Sequence, residues 1–222
     1  MRDAPLLRGS LPLRLVALFA GLLLFAVAIV SMLESQLGLP PWDVLHMGIS
    51  EHTPLTLGLA GVIVGLVIVV AAWIAGAPPG FGTIANAVVI GLTIDLLSSM
   101  EAVEALSESS LLVRVGLVAL GISLFGVGSA LYIGAGMGAG PRDSLMLALT
   151  KRTGLRIGVV RGSIEVTVLI AGLILGGVAG VGTLALALLV GPSVELSFWS
   201  LLRLGVADPR THAPEFGPLD MG

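Results

Sequence analysis

The sequence predicts an all-α fold, a polytopic membrane helix bundle of six transmembrane helices arranged as two inverted three-helix repeats. Three observations support this prediction. Apolar residues occur in runs of about twenty, the length that crosses a bilayer. Charged residues make up only 11% of the chain, against about 25% in soluble domains. Motifs in the first half recur one hundred residues later in the second half, which indicates an internal duplication.

The composition is typical of an integral membrane protein whose main surroundings are the lipid bilayer. Of the 222 residues, 56% are apolar, and the mean hydropathy is +1.07. No polar stretch is long enough to form a soluble domain. The first apolar run, Leu15–Leu33, is too long for the hydrophobic region of a signal peptide, so we interpret it as a retained span.

The absence of certain residues and of certain residue combinations argues against several functions. Cysteine is absent, so disulfides, thiolate metal sites and cysteine nucleophiles are impossible. The net charge of −3 argues against a nucleic-acid partner. The sequence contains no paired nucleophile and base and no cluster of metal ligands. Its glycine-rich run 134–140 does not lead into the Lys-Ser/Thr of a phosphate-binding loop. We therefore expect no enzyme activity, no cofactor and no metal.

Six spans follow from the apolar runs. They cover about Leu13–Leu33, Leu57–Ala75, Thr83–Met100, Leu112–Ile133, Ile157–Leu175 and Thr183–Leu202. A short amphipathic helix is predicted over 42–53, and 142–153 repeats it in the second half. Pro41 and Pro141 suit the first position of each short helix, where the missing N–H costs nothing. Whether these helices are re-entrant or interfacial is left open.

The duplication predicts an inverted arrangement. The twin motifs Pro41-Trp42-Asp43 and Pro141-Arg142-Asp143 lie one hundred residues apart. The same offset pairs further residues: Gly21 with Gly121, Phe25 with Phe125, Gly82 with Gly182, Thr83 with Thr183, and Gly91 with Gly191. Three spans per half is an odd number, so the second half enters the membrane from the opposite side. We expect repeats over 13–110 and 111–203, with an N-terminal segment 1–12 and a disordered tail 204–222.

Basic residues orient the chain. Arginine and lysine occur in the N-terminal segment, in the connection between spans 4 and 5, and after span 6. The connection between spans 1 and 2 carries acidic residues and no Lys or Arg. The positive-inside rule therefore predicts that both termini are cytoplasmic, which an even number of spans allows.

Several motifs carry a resemblance to a known family. They are Pro41-Trp42-Asp43-Val44-Leu45-His46, Gly82-Thr83, the run Tyr132–Asp143, Arg161-x-x-x-Glu165, Gly180-Val181-Gly182-Thr183 and Gly191-Pro192. Together they resemble the YczE/YyaS/YitT group of small bacterial membrane proteins, nearest its YczE-like branch, over about residues 12–203. The resemblance implies a multi-span protein of the bacterial cell membrane and names no substrate.

Four charged residues within the predicted spans form a candidate polar pathway. They are Arg161, Glu165, Asp95 and Glu195. A charge near the bilayer centre costs about 2.5–3.5 kcal/mol on insertion scales, so such residues usually face the bundle interior and carry function. The alternative is structural: Arg161 forms an ion pair between helices, with Glu195 as a candidate partner, and Asp95 and Glu195 neutralise arginines or cap loops.

The short helices carry Asp43, Asp143 and Arg142 as candidate gating or helix-capping residues. A carboxylate near the third helical position can accept hydrogen bonds from free N–H groups. Trp42 fits an interfacial anchor on the outer side, and Arg142 fits the inner side. His46 can share a helix face with Asp43, although two such ligands alone are weak support for a metal site.

These features favour a small secondary transporter or exporter of an unknown small-molecule substrate, because inverted repeats provide the two packings that alternating access requires. A passive channel is the first alternative. A non-transporting membrane partner or regulatory protein is the second. The sequence leaves the oligomeric state open, and a homo-oligomer is among the alternatives.

Overall fold

The computed structural model describes residues 5–138, 140–155 and 157–208, except the side chains of Leu147, Ile157, Gly158 and Arg161. The fold is all-α. Its longer helices are α1 (Leu11–Glu34), α2 (Pro41–His52), α3 (Leu57–Ile74), α4 (Phe81–Ser98), α6 (Leu111–Gly134), α7 (Pro141–Thr153), α8 (Ile157–Ile174) and α9 (Val181–Arg203). A short helix, α5 (Glu101–Glu104), and a 3-10 turn (Ala105–Glu108) link α4 to α6.

Five of these helices are long and apolar enough to cross a membrane, namely α1, α3, α4, α6 and α9. In α8 the described apolar stretch is shorter, Gly162–Ile174. Large apolar side chains cover the outside of the bundle; Leu112, Ile174 and Leu188 are 82%, 79% and 76% exposed. Such an outer surface suits lipid rather than water, which confirms the prediction of a helical membrane bundle.

Helices α1 and α6 form the centre of the bundle. They cross so closely that a Cβ atom on Gly21 would lie 2.7 Å from the carbonyl oxygen of Gly128. The ring centroids of Phe25 and Phe125 lie 4.6 Å apart in an edge-to-face arrangement beside this crossing. Glycine at the contact lets the two backbones approach, as is common between membrane helices.

Two arginines hold the ends of this antiparallel pair. Arg14, in the first turn of α1, donates from Nε to the Ala135 carbonyl at the end of α6, at 2.8 Å. Arg114, in the first turn of α6, donates from Nε to the Ser35 carbonyl at the end of α1, at 2.6 Å. Each arginine donates to a backbone carbonyl that is left free at the C-terminal end of the other helix. Its positive charge also lies at the negative end of that helix's dipole.

The loops before the short helices are held by the opposite half of the chain. The Gly182 N–H, at the start of α9, donates to the Leu37 carbonyl at 2.7 Å, and the Gly82 N–H, at the start of α4, donates to the Met137 carbonyl at 2.8 Å. Gly38 follows Leu37 with φ +120°, and a Cβ there would lie 2.5 Å from the Gly180 nitrogen. Only glycine fits both the left-handed backbone and the close approach.

The two ends of the chain pair with each other. Strand β1 (Leu6–Leu7) runs antiparallel to strand β2 (Ala207–Asp208). Arg8 donates to the Asp208 carboxylate from Nε at 2.8 Å and again from Nη2, and these hydrogen bonds hold the pKa of Asp208 below its usual value. The tail expected to be disordered therefore begins with ordered backbone. Its residues 209–222 lie outside the described part of the structure.

The pairing of β1 with β2 makes a direct prediction. In a chain without native cysteine, the variant Leu7→Cys/Ala207→Cys should form an intramolecular disulfide under mild oxidation, because these residues face each other across the strand pair. A mobility shift on non-reducing gels measures it. The control Leu7→Cys/Ser110→Cys joins β1 to the start of α6, far from the strand pair, and should not cross-link. Equal cross-linking of both pairs would contradict the arrangement.

Candidate functional site

The N-terminal turn of α2 is buried inside the bundle. Trp42 and Asp43 are 3% and 1% exposed, whereas residues 51–54 at the other end of α2 are exposed. The prediction that Trp42 is an interfacial anchor on the outer side is therefore wrong. Its indole lies in the interior, because α2 begins deep in the bundle and runs outward.

The short helices α2 and α7 meet at their N-terminal ends. The Arg142 guanidinium carbon lies 4.9 Å from the centroid of the Trp42 ring. The opposite ends of the two helices are far apart. Helix α3 starts four residues after the end of α2, and the carbonyl at its other end, Ala75, accepts a hydrogen bond from Arg152 of α7 at 3.0 Å. Eighteen residues of α3 separate these points by about 27 Å.

This meeting point is the candidate site, and we call it the junction: Trp42, Asp43 and His46 of α2, Arg142 of α7, and Glu165 of α8. The partial positive charges of both helix N-termini converge there. The side chains add one arginine, two carboxylates and one histidine. Such an arrangement can bind charged groups and protons in the interior of the protein.

The Asp43 carboxylate is incompletely paired. Its Oδ1 lies 3.1 Å from Nδ1 of His46, itself 5% exposed. The same oxygen lies 3.9 Å from Nη2 of Arg142, too far for a hydrogen bond. Among the described residues, Oδ2 has no hydrogen-bond partner. A buried carboxylate with one free oxygen is costly unless it gains a proton or a ligand.

Asp43 does not cap α2, so the capping interpretation fails for this residue. Pro40 and Pro41 stand at the start of α2, and neither has an N–H to donate. No side-chain cap hydrogen bond forms there. At the twin position in α7, the Tyr132 hydroxyl of α6 donates to Oδ2 of Asp143 at 3.4 Å.

Glu165 reaches the junction from α8. Its Oε1 accepts a hydrogen bond from the Trp42 indole N–H at 3.2 Å. The close packing of α2 on α8 makes this contact possible: a Cβ on Gly172 would lie 2.6 Å from the Leu45 nitrogen. Arg161, one helical turn before Glu165, has a side chain outside the described part of the structure.

An apolar groove of about 280 Å³ lies beside the Trp42 ring. It is lined by Trp42, Leu145 of α7, and Ser163, Ile164, Thr167 and Val168 of α8. The groove lies between α2, α7 and α8, the three helices of the junction, and is open on its outer side, where Ser163 and Thr167 are exposed.

Asp95 and Glu195 lie apart from the junction contacts. Oδ2 of Asp95 accepts from the Thr56 hydroxyl at 2.5 Å, and Oδ1 accepts from the Gly58 N–H at 2.9 Å. Asp95 therefore caps the start of α3 from the neighbouring helix α4. The Glu195 side chain lies on an exposed part of α9. Of the predicted pathway residues, the described contacts bring only Glu165 to the junction.

Three residues make contacts that the sequence analysis did not predict. They are Tyr132, which bonds Asp143, and the two arginines at the ends of α1 and α6, Arg14 and Arg114. For the two arginines, the offset of one hundred residues was the available signal for a paired role. Within the described residues, no group of three or more metal-ligating side chains occurs.

The fold and the junction define a class: a multi-pass helical membrane protein with two short helices that meet end to end in its interior. Comparison with known proteins places the chain more narrowly. Residues 12–198 match the family described as "Family of unknown function (DUF6198)", and the chain belongs to this family.

The relatives confirm the resemblance. "Uncharacterized membrane protein YczE" of Bacillus subtilis is 35% identical over 205 residues, covering 89% of this chain and 91% of the relative. An "Uncharacterized protein" of Haemophilus influenzae is 34% identical over 188 residues, covering 82% and 84%. "Uncharacterized protein YyaS" of Bacillus subtilis is 28% identical over 193 residues, covering 83% and 96%. No solved structure matches the chain significantly.

The cap formed by Asp95 can be tested separately from function. Asp95→Asn should lower the free energy of unfolding by about 1 kcal/mol, the usual contribution of a helix cap. Thermal unfolding in detergent, followed by circular dichroism, measures the change. The matched control is Glu101→Gln, which neutralises an exposed acid in α5. Unchanged stability of Asp95→Asn, or an equal loss in Glu101→Gln, would contradict the structural role.

Proposed function

We propose that the protein is a small secondary transporter of the bacterial cell membrane, with the junction as its substrate pathway. One observation carries the proposal: two discontinuous helices meet by their N-termini inside a membrane bundle, next to a buried carboxylate and an arginine. In transporters, broken helices of this kind form the binding site near the bilayer midplane. We propose transport rather than an enzymatic activity, because the junction offers groups that bind charge and lacks a nucleophile with its base.

The proposed topology is six spans in two inverted repeats, with α8 counted as a span in addition to α1, α3, α4, α6 and α9. The pairing of β1 with β2 supports an even number of crossings, since both ends of the chain then lie on one side. The reciprocal contacts of Arg14 and Arg114 support the inversion. So do the matching hydrogen bonds of Gly82 and Gly182, because residues one hundred apart make equivalent contacts to the opposite half.

Alternating access requires that the junction open to one side at a time. Arg142 and Trp42 join α7 to α2, and Trp42 and Glu165 join α2 to α8, so we propose that these contacts break and re-form as access alternates. Because the halves are alike, a rearrangement that opens one side has a counterpart of similar energy on the other.

The inverted topology predicts opposite sidedness for twin residues. Glu51 and Lys151 are exposed at the outer ends of α2 and α7. A membrane-impermeant thiol reagent added to intact cells should label Glu51→Cys and leave Lys151→Cys unlabelled, since the positive-inside rule places the basic connection in the cytoplasm. Lysed cells provide the control, where both should react. Equal labelling in intact cells would contradict the inversion.

The transport proposal predicts that the charge on Glu165 is required. Proteoliposomes containing the full chain should take up at least one of a panel of radiolabelled carboxylates, amino acids and amines with saturable kinetics. Glu165→Gln keeps an acceptor for the Trp42 N–H but removes the charge, and should reduce initial uptake at least about tenfold, roughly 1.4 kcal/mol. The matched control Glu108→Gln changes an exposed acid outside the spans and should retain uptake.

The other outcomes identify the alternatives. Flux that does not saturate and is equal in both directions would indicate a passive channel and overturn the transporter proposal. No flux for any compound in the panel, together with a stable partner that co-purifies in stoichiometric amount, would indicate a non-transporting membrane partner instead.

A further inference from the structure

We propose that Asp43 and His46 together form a proton-binding site. The protonation state of this site controls the electrostatic attraction between Asp43 and the Arg142 guanidinium. The proton-binding site is inferred from the geometry of the junction alone. A role for this site in coupling rests on the proposed transport function, and it would make the proton the coupling ion.

The first support is the environment of the two side chains. Both are at least nine-tenths buried, and Oδ1 of Asp43 lies 3.1 Å from Nδ1 of His46. The other carboxylate oxygen, Oδ2, has no hydrogen-bond partner among the described residues. An unpaired oxygen in an interior of low dielectric is a place where a proton binds without displacing an existing bond.

The second support is the set of charges around the pair. Helix α7 presents Arg142, at 3.9 Å from Asp43. Helix α8 presents Glu165, which is separated from the pair by the Trp42 indole; the Arg161 side chain, also on α8, is not described. Helix α3 presents the backbone of Gly61, where a Cβ would lie 3.2 Å from the His46 ring. Arg142 is therefore the described cation nearest the pair.

The consequence for Arg142 follows from charge. With Asp43 ionised, its carboxylate attracts the guanidinium and keeps it over the Trp42 ring. A proton that binds to the pair raises its charge by one and removes most of this attraction. The guanidinium then becomes available to an anionic group of a substrate. By linkage, such a substrate must also favour protonation of the pair, which is the thermodynamic content of coupling.

The indole of Trp42 reports on this site because it contacts Arg142 and Glu165 directly. The chain has three tryptophans, so Trp73→Phe/Trp199→Phe leaves Trp42 as the single emitter. Fluorescence of the purified full chain is measured from about pH 5 to about pH 8, the range in which histidine ordinarily changes charge. We expect one titration step, treated as a property of the coupled pair rather than of either residue.

In the same background, Asp43→Asn and His46→Gln should each abolish the step, whereas Asp95→Asn, which neutralises a carboxylate outside the junction, should retain it. Circular dichroism and gel filtration establish that each variant is folded. If Asp43→Asn fails to fold, the presence or absence of the titration step in His46→Gln tests the proposal. Absence of a step in the background protein, or a step that survives both variants, would overturn the proton site. Loss of the step in Glu165→Gln alone would assign the proton to Glu165 and also overturn it.

Transport and proton binding can fail separately. A titration step that depends on Asp43 and His46, in a protein without saturable uptake, would uphold the proton site and overturn the proposed function. Saturable uptake that Asp43→Asn leaves unchanged at every pH would uphold the transporter and overturn the coupling.

Discussion

The close crossing of α1 and α6 is the contact on which the rest of the structure depends. In a membrane, apolar side chains gain little by leaving lipid, so helix association relies on packing and hydrogen bonds. Gly21 and Gly128 bring the two backbones together, and Arg14 and Arg114 satisfy the carbonyls at both ends of the pair. This rigid centre sets the positions from which the two loops turn back and deliver α2 and α7 to the interior.

The junction is the product of that geometry. Each short helix begins after a loop whose backbone is hydrogen-bonded to the opposite half of the chain. The energetic cost of burying Asp43 is carried by this framework rather than by a tight ion pair, since Arg142 stays at 3.9 Å. A buried ion pair stabilises a protein only with close geometry and additional hydrogen bonds, so the Asp43–Arg142 contact adds little stability of its own.

Much of this architecture was predictable, because apolar runs and the internal duplication indicate where helices begin and end. The helix boundaries, the short helices at Pro41 and Pro141 and the membrane character all follow from apolar runs and helix-start signals. Side-chain partners were harder to predict. The tendency of tryptophan to lie at membrane interfaces predicted a surface position for Trp42. That tendency does not take into account a loop that folds back and buries the start of α2. Asp95 was predicted to lie in a pathway, but its cap on α3 depends on how α4 packs against α3, which the sequence does not encode locally.

The exchanged loops make the two halves resemble partners in an interlocked dimer. The loop before α2 is completed by the start of α9, and the loop before α7 by the start of α4. Neither half therefore contains a finished version of its own short-helix motif. The two halves are therefore interdependent: the loop before each short helix gains this hydrogen bond only once the other half has packed against it.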